Sequence, residues 1–287
     1  MPQRSERHVA LVTGGSRGIG EAICRRVARE GASVLVAARS REACAGVAES
    51  IRATGGTAWP LALDLSDPAS VAAALEEARS LTGPFGSIDW LVNNAGLAES
   101  ASYDDEAHEA RLARHLEVNF HGARRLMEVL VPGMEARGYG RVVNVASSAG
   151  LRGYAYVTAY CASKFALVGY SLALADELEG SGVHVNLVCP HYVDSPMLAA
   201  SVERLVQKTR MDATMAREFF RRSNPGQALV AMDEVAAAVV HLLRSDEQGA
   251  VLELDGSSER RWRHPNRATG ADRTGARRGN AGGETAR

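Results

Sequence analysis

The sequence predicts an α/β protein, in which helices cover both faces of a single doubly wound, seven-stranded parallel sheet. Short apolar runs recur along the chain, and a helical pattern follows each of them. The runs are nearly all apolar, as expected for strands that are buried on both faces. Strands that alternate with helices form right-handed βαβ units and therefore a parallel sheet. With 46% hydrophobic and 23% charged residues, a chain of 287 residues can bury a core of that size.

The seven predicted strands share this apolar character and lie at residues 8–13, 33–38, 57–64, 88–94, 141–147, 183–189 and 250–255. They belong to a single domain over residues 8–256, which follows a polar N-terminal extension at residues 1–7. Residues 190–226 are a long insertion between a strand and a helix pattern. Because much of this insertion is amphipathic at helical spacing, we expect a partly helical lid there.

Residues 257–287 have a different composition from the rest of the chain. They contain eight arginines against three acidic residues, and no Val, Ile, Leu, Met or Phe. A segment with so few apolar groups cannot offset the entropy lost on ordering, so we expect a disordered tail. Anion binding is the alternative interpretation.

The bulk properties argue against several functional classes. The formal net charge of -1 gives no reason to expect binding to nucleic acid or to a membrane surface. The polar start of the chain and the lack of a long apolar run indicate neither a signal peptide nor a membrane span. The four scattered cysteines, Cys24, Cys44, Cys161 and Cys189, have no metal-ligand spacing, so no metal site is expected. We therefore expect a cytoplasmic protein.

The stretch TGGSRGIG at residues 13–20 fits two functions. Gly14-x-Ser16-x-Gly18 matches the nucleophile elbow of a serine hydrolase, but an elbow needs an oxyanion loop from an earlier strand, and only residues 1–12 precede it. A dinucleotide-binding turn belongs directly after the first strand, where glycines and a helix N-terminus meet the pyrophosphate. The predicted contacts of this turn are Gly14, Ser16, Arg17, Gly18, Ile19 and Gly20.

The end of the second strand bears on the choice of dinucleotide. An acidic residue about 20 residues past the turn would bind the ribose 2′-hydroxyl of NAD. This chain has Ala37-Ala38-Arg39-Ser40 there, without a carboxylate. The guanidinium of Arg39 can hold a 2′-phosphate, and Arg17 adds a second cation. The sequence therefore favours NADP(H), with NAD(H) as the alternative cofactor and two solvated surface arginines as the alternative explanation.

Tyr160 and Lys164 are candidate catalytic residues. At positions i and i+4 they share one face of a helix. An ammonium beside a phenol favours the phenolate, so we expect Lys164 to lower the pKa of Tyr160 from its usual value of about 10. Tyr160 would then serve as general acid in reduction and as general base in oxidation.

The glycine turn and four further stretches together resemble the short-chain dehydrogenase/reductase family, in its classical Tyr-x-x-x-Lys subgroup. These stretches are NNAG (93–96), LEVNF around Asn119, VASSAG (145–150) and YCASK (160–164). The resemblance covers residues 8 to about 256 and implies a Rossmann-type fold. It implies that Ser147, rather than Ser148, hydrogen-bonds the substrate oxygen and that Lys164 holds the nicotinamide ribose. It further implies that the backbone carbonyl of Asn119 holds a water in a proton relay.

The resemblance also implies contacts to the rest of the cofactor. Asp64 matches the aspartate that binds the adenine amino group; the other implied contacts are Leu65, Asn93, Ala95 and Gly96 on the adenosine side, and Pro190, Val193 and Ser195 near the nicotinamide. The chain departs from the family at His191, where the family has glycine. Such a side chain either points towards the substrate or forces another backbone path. A histidine packed under the lid is the alternative.

The resemblance implies an NADP(H)-dependent oxidoreductase that interconverts a ketone and a secondary alcohol by hydride transfer. Similarity to 3-oxoacyl and polyketide ketoreductases favours a 3-oxoacyl-like, polyketide-like or other apolar carbonyl substrate. A hydroxysteroid-type or other alcohol dehydrogenase of the same family is the alternative. From other classes, a cofactor-sensing regulator and a serine hydrolase using Ser16 are the rival functions. The family also suggests a homodimer or homotetramer, formed through the helices that carry Asn119 and Tyr160.

Overall fold

The computed structural model describes residues 8–83, 86–257 and 259–262. The strands of these residues form one sheet and are β1 (Val9–Thr13), β2 (Ser33–Ala38), β3 (Thr57–Ala62), β4 (Ile88–Asn93), β5 (Gly140–Val145), β6 (Val183–Pro190), β7 (Val251–Leu254) and β8 (Glu259–Trp262). The helices are α1 (Gly18–Arg29), α2 (Arg41–Ala53), α3 (Pro68–Thr82), α4 (His108–Leu116), α5 (Gly122–Arg137), α6 (Thr158–Glu177), α7 (Pro196–Lys208), α8 (Ala213–Ser223) and α9 (Met232–Arg244).

The spatial order of the strands is β3-β2-β1-β4-β5-β6-β7-β8. Strands β1 to β7 pair in parallel, so the predicted doubly wound fold class is confirmed. The chain runs outwards from β1 to β3 and then returns to place β4 on the other side of β1. At such a reversal the loops at the carboxyl ends of the strands diverge and leave a cleft, which is where open α/β sheets bind ligands.

An eighth strand was not predicted. β8 pairs antiparallel with β7 and lies within residues 257–287, so the expectation of a wholly disordered tail is wrong for residues 259–262. The reason is that an exposed sheet edge offers backbone hydrogen bonds, which require no apolar side chains. The rest of the expected tail, residues 263–287, and the expected N-terminal extension, residues 1–7, lie outside the described residues.

Side chains alternate between the two faces of the central strands, and the core therefore consists of two layers. In β1, Leu11 faces a cluster with Leu126 of α5 and Leu167 of α6. Its neighbour Val12 faces the opposite cluster, which includes Ile23 of α1 and Leu242 of α9. Successive side chains of a strand point to opposite faces, so an all-apolar strand is buried on both. This double burial holds the carboxyl ends of the strands rigidly in place around the cleft.

The insertion at residues 190–226 contains the two helices α7 and α8. They pack on each other through Leu198, Val202, Ala216 and Phe220. Met197, Met215 and Phe219 of the same two helices remain exposed. The helical part of the expectation therefore agrees with the structure, while action as a lid stays a prediction. None of the helices that the structure describes is long and apolar enough to cross a membrane.

Candidate active site

The glycine turn is shaped by positions that only glycine fits well. Gly14 and Gly18 have φ of +66° and +60°, in the left-handed region that favours glycine. A Cβ on Gly20 would lie 2.1 Å from the carbonyl oxygen of Gly14. The helix α1 begins at Gly18 directly after the extended residue Arg17, with Ile19 and Ser16 on either side of this start. The turn therefore brings bare backbone and a helix N-terminus to the cleft, an arrangement that fits a pyrophosphate.

Thr13 and Asn94 fasten this turn to the loop after β4. The hydroxyl oxygen of Thr13 accepts the backbone N–H groups of Asn94 and Ala95, each at 3.0 Å. The side-chain amide of Asn94 donates to the carbonyl of Thr13 at 3.0 Å. Sequence reasoning chose Asn93 and missed Asn94, although both lie in the NNAG stretch. The side-chain N–H of Asn93 is buried and donates to Asn144 at 2.8 Å, so this side chain is directed at β5 rather than at the glycine turn.

The adenosine end of the predicted cofactor site lies beyond β2 and β3. Arg17 and Arg39 are both exposed. One carboxylate oxygen of Asp64 accepts the hydroxyl of Ser66 at 2.6 Å and its N–H at 2.9 Å. These bonds, together with the charge of Arg39, lower the pKa of Asp64. Asp64 is therefore an ionised acceptor close to Arg39. The adjacent Leu65 is buried against α5.

Ser147 and Tyr160 meet across the carboxyl end of β5. Ser147 follows β5, and its hydroxyl oxygen accepts the N–H of Ala149 at 3.1 Å, which caps a short 3₁₀ helix. Tyr160 lies in the first turn of α6 and is hydrogen-bonded to Ser147. Ser148, the rejected candidate, is buried and accepts the hydroxyl of Tyr154 at 3.0 Å. Ser147 is thus the serine at the tyrosine hydroxyl.

The ionisation of Tyr160 differs from the expectation. Loss of solvent around its hydroxyl raises the pKa of Tyr160 to about 12, against the opposing effect of the hydrogen bond from Ser147. The expected lowering by Lys164 is therefore wrong for this structure, because desolvation is the larger effect. The ammonium lies 5.9 Å from the ring centroid of Tyr160. The phenol is consequently held protonated, which suits a general acid.

Lys164 is buried one turn further along α6, with only 3% of the residue exposed. Its ammonium donates to the carbonyl of Val145 at 3.0 Å. Burial lowers the pKa of Lys164 to about 8 because the charged form loses its hydration. A Cβ on Gly96 would lie 3.6 Å from this ammonium and 3.2 Å from the side-chain oxygen of Asn119. Gly96 therefore lies directly beside both predicted catalytic residues.

Asn119 lies in a π-helical segment, Glu117–His121, between α4 and α5. Its side-chain oxygen accepts the N–H of Leu97 at 2.8 Å, and its amide donates to the carbonyl of Leu97 at 3.0 Å and to Ser163 at 2.9 Å. π-helical turns interrupt the regular α-helical hydrogen bonding and are frequent at functional sites. The side chain therefore joins the loop after β4 to α6, and the relay through the backbone carbonyl of Asn119 stays a prediction.

The loop after β6 runs from Pro190 back towards the glycine turn. Val193 is buried and pairs with Val230, and the hydroxyl oxygen of Ser195 accepts the N–H of Leu198 at 3.4 Å at the start of α7. A Cβ on Gly18 would lie 3.3 Å from Pro196, so the loop ends against the glycine turn. This path closes one side of the cleft.

His191 does not need the backbone freedom of the glycine it replaces. Among the residues that the structure describes, the non-glycine residues with positive φ are Tyr156 and Gln227, so His191 has an ordinary φ. Its imidazole is buried and lies 2.7 Å from the carboxylate of Glu253 on β7. The structure therefore supports a packed histidine rather than one that forces another backbone path. It packs against the carboxylate of Glu253, however, and not under the lid as expected.

Within the described part of the chain, no group of three or more His, Cys, Asp or Glu side chains could hold a metal ion. The arrangement instead combines a phosphate-binding turn with a protonated phenol, a hydroxyl and a buried amine. The bare backbone at Gly14 and Gly20 fits a dinucleotide. A phenol and a hydroxyl that share a hydrogen bond can bind a carbonyl oxygen and give it a proton.

Comparison with known proteins agrees with this geometry. Residues 8–205 match the family described as short chain dehydrogenase. The ketoacyl reductase HetN of Nostoc sp. is 37% identical, over 64% of this chain and 62% of its own length. The D-beta-hydroxybutyrate dehydrogenase of Cupriavidus necator is 33% identical, over 86% of this chain and 96% of its own length. A crystal structure of a variant actinorhodin polyketide ketoreductase with NADPH has a TM-score of 0.81 and 32% identity, and covers 87% of this chain and 96% of its own. This chain belongs to the short chain dehydrogenase family of oxidoreductases.

Proposed function

We propose that this protein is an NADP(H)-dependent ketoreductase. The single observation that carries the proposal is the hydrogen bond between Ser147 and the protonated phenol of Tyr160, with the buried Lys164 one helical turn away. Bound NADPH supplies the hydride that becomes the new C–H bond of the alcohol. The rival regulator would need no such assembled acid, and a hydrolase that uses Ser16 would not need Tyr160 or Lys164.

The side chains have separate roles in the proposed reaction. Ser147 holds the carbonyl oxygen of the ketone, and Tyr160 donates its phenolic proton to that oxygen while the carbonyl carbon gains the hydride. The products are a secondary alcohol and a phenolate. Lys164 can return a proton near neutral pH, because burial brings its pKa to about 8. The relay would run past the backbone carbonyl of Asn119.

The choice of NADP(H) rests on charge. Arg17 and Arg39 are exposed at the adenosine end, where a 2′-phosphate would lie. The carboxylate of Asp64 follows β3 and is engaged by Ser66, so it does not supply the acidic residue that NAD binding uses at the end of β2. We propose that the cofactor also contacts the remaining predicted residues between the two ends of this site, which are Ser16, Ile19, Leu65, Ala95, Pro190, Val193 and Ser195.

For the substrate we propose a 3-oxoacyl-like, polyketide-like or other apolar ketone. The exposed Met197, Met215 and Phe219 of α7 and α8 favour an apolar ligand, and the similar HetN and actinorhodin enzymes are named for reduction of ketoacyl and polyketide groups. A hydroxysteroid-type or other alcohol dehydrogenase is the alternative.

We further propose a cytoplasmic homodimer or homotetramer. Val129 of α5 and Phe165 of α6 are exposed on helices that the family uses for assembly. Analytical ultracentrifugation would measure the oligomeric state, and a monomer at working concentration would contradict this part of the proposal.

The test of function is a panel of ketones and alcohols followed by NADPH or NADH absorbance. We expect oxidation of NADPH with at least one 3-oxoacyl thioester or apolar cyclic ketone, and slower reaction with NADH. No turnover of any ketone, despite NADPH binding seen by fluorescence, would contradict the proposal and favour the regulator. Labelling of Ser16 by a fluorophosphonate would favour the hydrolase.

A further inference from the structure

Three polar side chains, of a glutamate, a histidine and an arginine from separate parts of the chain, meet beside the sheet. One carboxylate oxygen of Glu253, on β7, contacts the imidazole of His191 at 2.7 Å and also pairs with the guanidinium of Arg152. The side chains of His191 and Glu253 are 2% and 9% exposed, whereas Arg152 is half-exposed. We refer to these three residues as the Glu253 bridge.

The burial of Glu253 makes these contacts necessary. A carboxylate removed from water is strongly destabilised unless cations or N–H donors replace the lost hydration. With glycine at position 191, as in the family that this chain resembles, the carboxylate would keep its pair with Arg152 and lose its contact with the buried imidazole. The histidine therefore gives Glu253 a second, fully buried partner, which is a feature of this chain's own sequence.

The bridge joins the two loops that flank the proposed reaction. Arg152 lies on the segment between Ser147 and Tyr160, and His191 opens the loop that leads to Ser195 and α7. The backbone of His191 is already held, because its N–H donates to the carbonyl of Leu254 at 2.9 Å. The side-chain contacts have a different effect. Through Glu253 on β7 they link the loop after β6 to the segment that precedes Tyr160.

The bridge is also close to the catalytic residues. The buried thiol of Cys189 lies within electrostatic range of both Glu253 and Lys164, and it is hydrogen-bonded to the backbone of Ser147. Cys189 and His191 are separated by Pro190 alone at the end of β6. Through Cys189 the end of β6 therefore connects the loop at His191 with the backbone of Ser147.

We propose that His191 and Glu253 are positioning residues for hydride transfer. Glu253 holds Arg152, and with it the segment between Ser147 and Tyr160, at a set distance from the loop at residues 191–195. His191 keeps the carboxylate directed at Arg152. This proposal rests on the proposed function and predicts an effect on the chemical step rather than on cofactor affinity.

The test compares Glu253→Gln, His191→Gly and Arg152→Ala with the unaltered full-length protein. Each variant is assayed for kcat, for KM of the ketone, for NADPH affinity by fluorescence, and for the primary isotope effect with NADPH deuterated at the transferred position. We expect kcat to fall by about tenfold or more, because small misplacements of reacting groups are costly. The isotope effect should rise, with NADPH affinity within about twofold of the unaltered protein.

Two further variants separate positioning from folding. Arg152→Lys restores a cation and should recover most of kcat, while Arg79→Ala removes an arginine from the exposed pair with Glu76 on α3 and should change nothing. Arg152 is half-exposed, so its variants should keep the thermal midpoint of the protein.

The possible failures are distinguishable. If Arg152→Ala and His191→Gly keep both kcat and the isotope effect, or if kcat falls only as the folded fraction falls, the bridge is structural and the inference is wrong. If the unaltered protein reduces no ketone, the proposed function fails and the inference fails with it.

Discussion

The side-chain amide of Asn119 donates a hydrogen bond to Ser163 at 2.9 Å, which ties the π-helical turn to the helix that carries Tyr160 and Lys164. The same side chain exchanges two hydrogen bonds with the backbone of Leu97. One buried asparagine therefore sets the mutual position of the loop after β4, the π-helical turn and α6. The role proposed for its backbone carbonyl in the proton relay depends on these side-chain bonds.

For Asn119→Ala we expect a loss of both stability and turnover. The change removes the side-chain partner of both backbone groups of Leu97. The hydroxyl of Ser163 loses one bond but still donates to the carbonyl of Tyr160 at 2.8 Å. Polar groups left without a partner cost about 1–3 kcal/mol each. Urea unfolding should show a free energy of unfolding lower by about 2–4 kcal/mol once water replaces part of the lost bonding. An unchanged midpoint would show that these three bonds do not hold the turn.

For Tyr160→Phe we expect turnover to vanish while NADPH binding stays nearly intact. The ring still fills its site beside His115, but the proton donor is gone. Turnover and NADPH fluorescence measure the two effects separately. Tyr170→Phe, on the same helix and packed on Phe120, is the control and should stay active. Substantial activity in Tyr160→Phe would show that another group is the acid.

The rate of ketone reduction should fall as the pH rises through about 8. Burial lowers the pKa of Lys164 from 10.5 to about 8, so above that pH the relay loses its proton, while Tyr160 stays protonated up to about 12. A pH profile of kcat at saturating NADPH tests this. A flat profile from pH 7 to about pH 9.5 would contradict the assigned role of Lys164.

The same two groups affect stability in opposite directions. Between pH 8 and 10.5 the unfolded chain binds more protons at Lys164 than the folded one, so this group makes the protein more stable as the pH rises. Between pH 10 and 12 the folded chain binds more protons at Tyr160, so stability from that group falls. In Lys164→Met the urea midpoint should no longer gain this contribution between pH 8 and 10.5. In Tyr160→Phe it should no longer lose the corresponding contribution between pH 10 and 12. Slopes that persist in both variants would show that other groups cause them.

For Gly20→Ala we expect loss of NADPH binding, because the new methyl group would lie 2.1 Å from the carbonyl oxygen of Gly14. Gly46→Ala is the matched control. No atom lies within 4 Å of the corresponding Cβ, and Gly46 is inside α2, so alanine should raise the free energy of unfolding by up to about 1 kcal/mol. Fluorescence titration and urea unfolding measure the two outcomes. Unaltered NADPH affinity in Gly20→Ala would mean that the turn does not form the cofactor site.

For Arg39→Ala we expect the preference for NADPH over NADH to shrink by about tenfold or more, because a charge-assisted contact to the 2′-phosphate is lost. The ratio of kcat/KM for the two cofactors is the measurement. Arg79→Ala, which removes an exposed arginine from α3, should leave the ratio unchanged. An unchanged ratio in Arg39→Ala would show that the 2′-phosphate is bound elsewhere.

Most of the fold and the central residues of the candidate site were predictable from local patterns. Seven apolar runs predicted seven parallel strands, because a strand that is buried on both faces has apolar residues at nearly every position. The spacing of Tyr160 and Lys164 predicted one shared helix face, and the glycines predicted a tight turn after β1. Each of these inferences depends only on neighbours in the sequence.

Several features depended on contacts between distant residues, which local patterns do not contain. Asn94, not the side chain of Asn93, fastens the glycine turn, and the difference lies in which amide meets Thr13 across the sheet. β8 was missed because its pairing uses backbone groups that every sequence has. The pKa of Tyr160 was predicted in the wrong direction, since desolvation is set by the whole surrounding fold.

The sequence by itself determined the fold class, the glycine turn and the Tyr-x-x-x-Lys pair, because secondary structure and helix-face geometry follow from residues close together in the chain. Only the tertiary structure decided the ionisation of Tyr160 and Lys164 and the partner of His191. Glu253 lies 62 residues from His191 in the chain but 2.7 Å away in space. Burial and pairing of charges are properties of the packed molecule, because packing determines which groups lose water and which partners replace it.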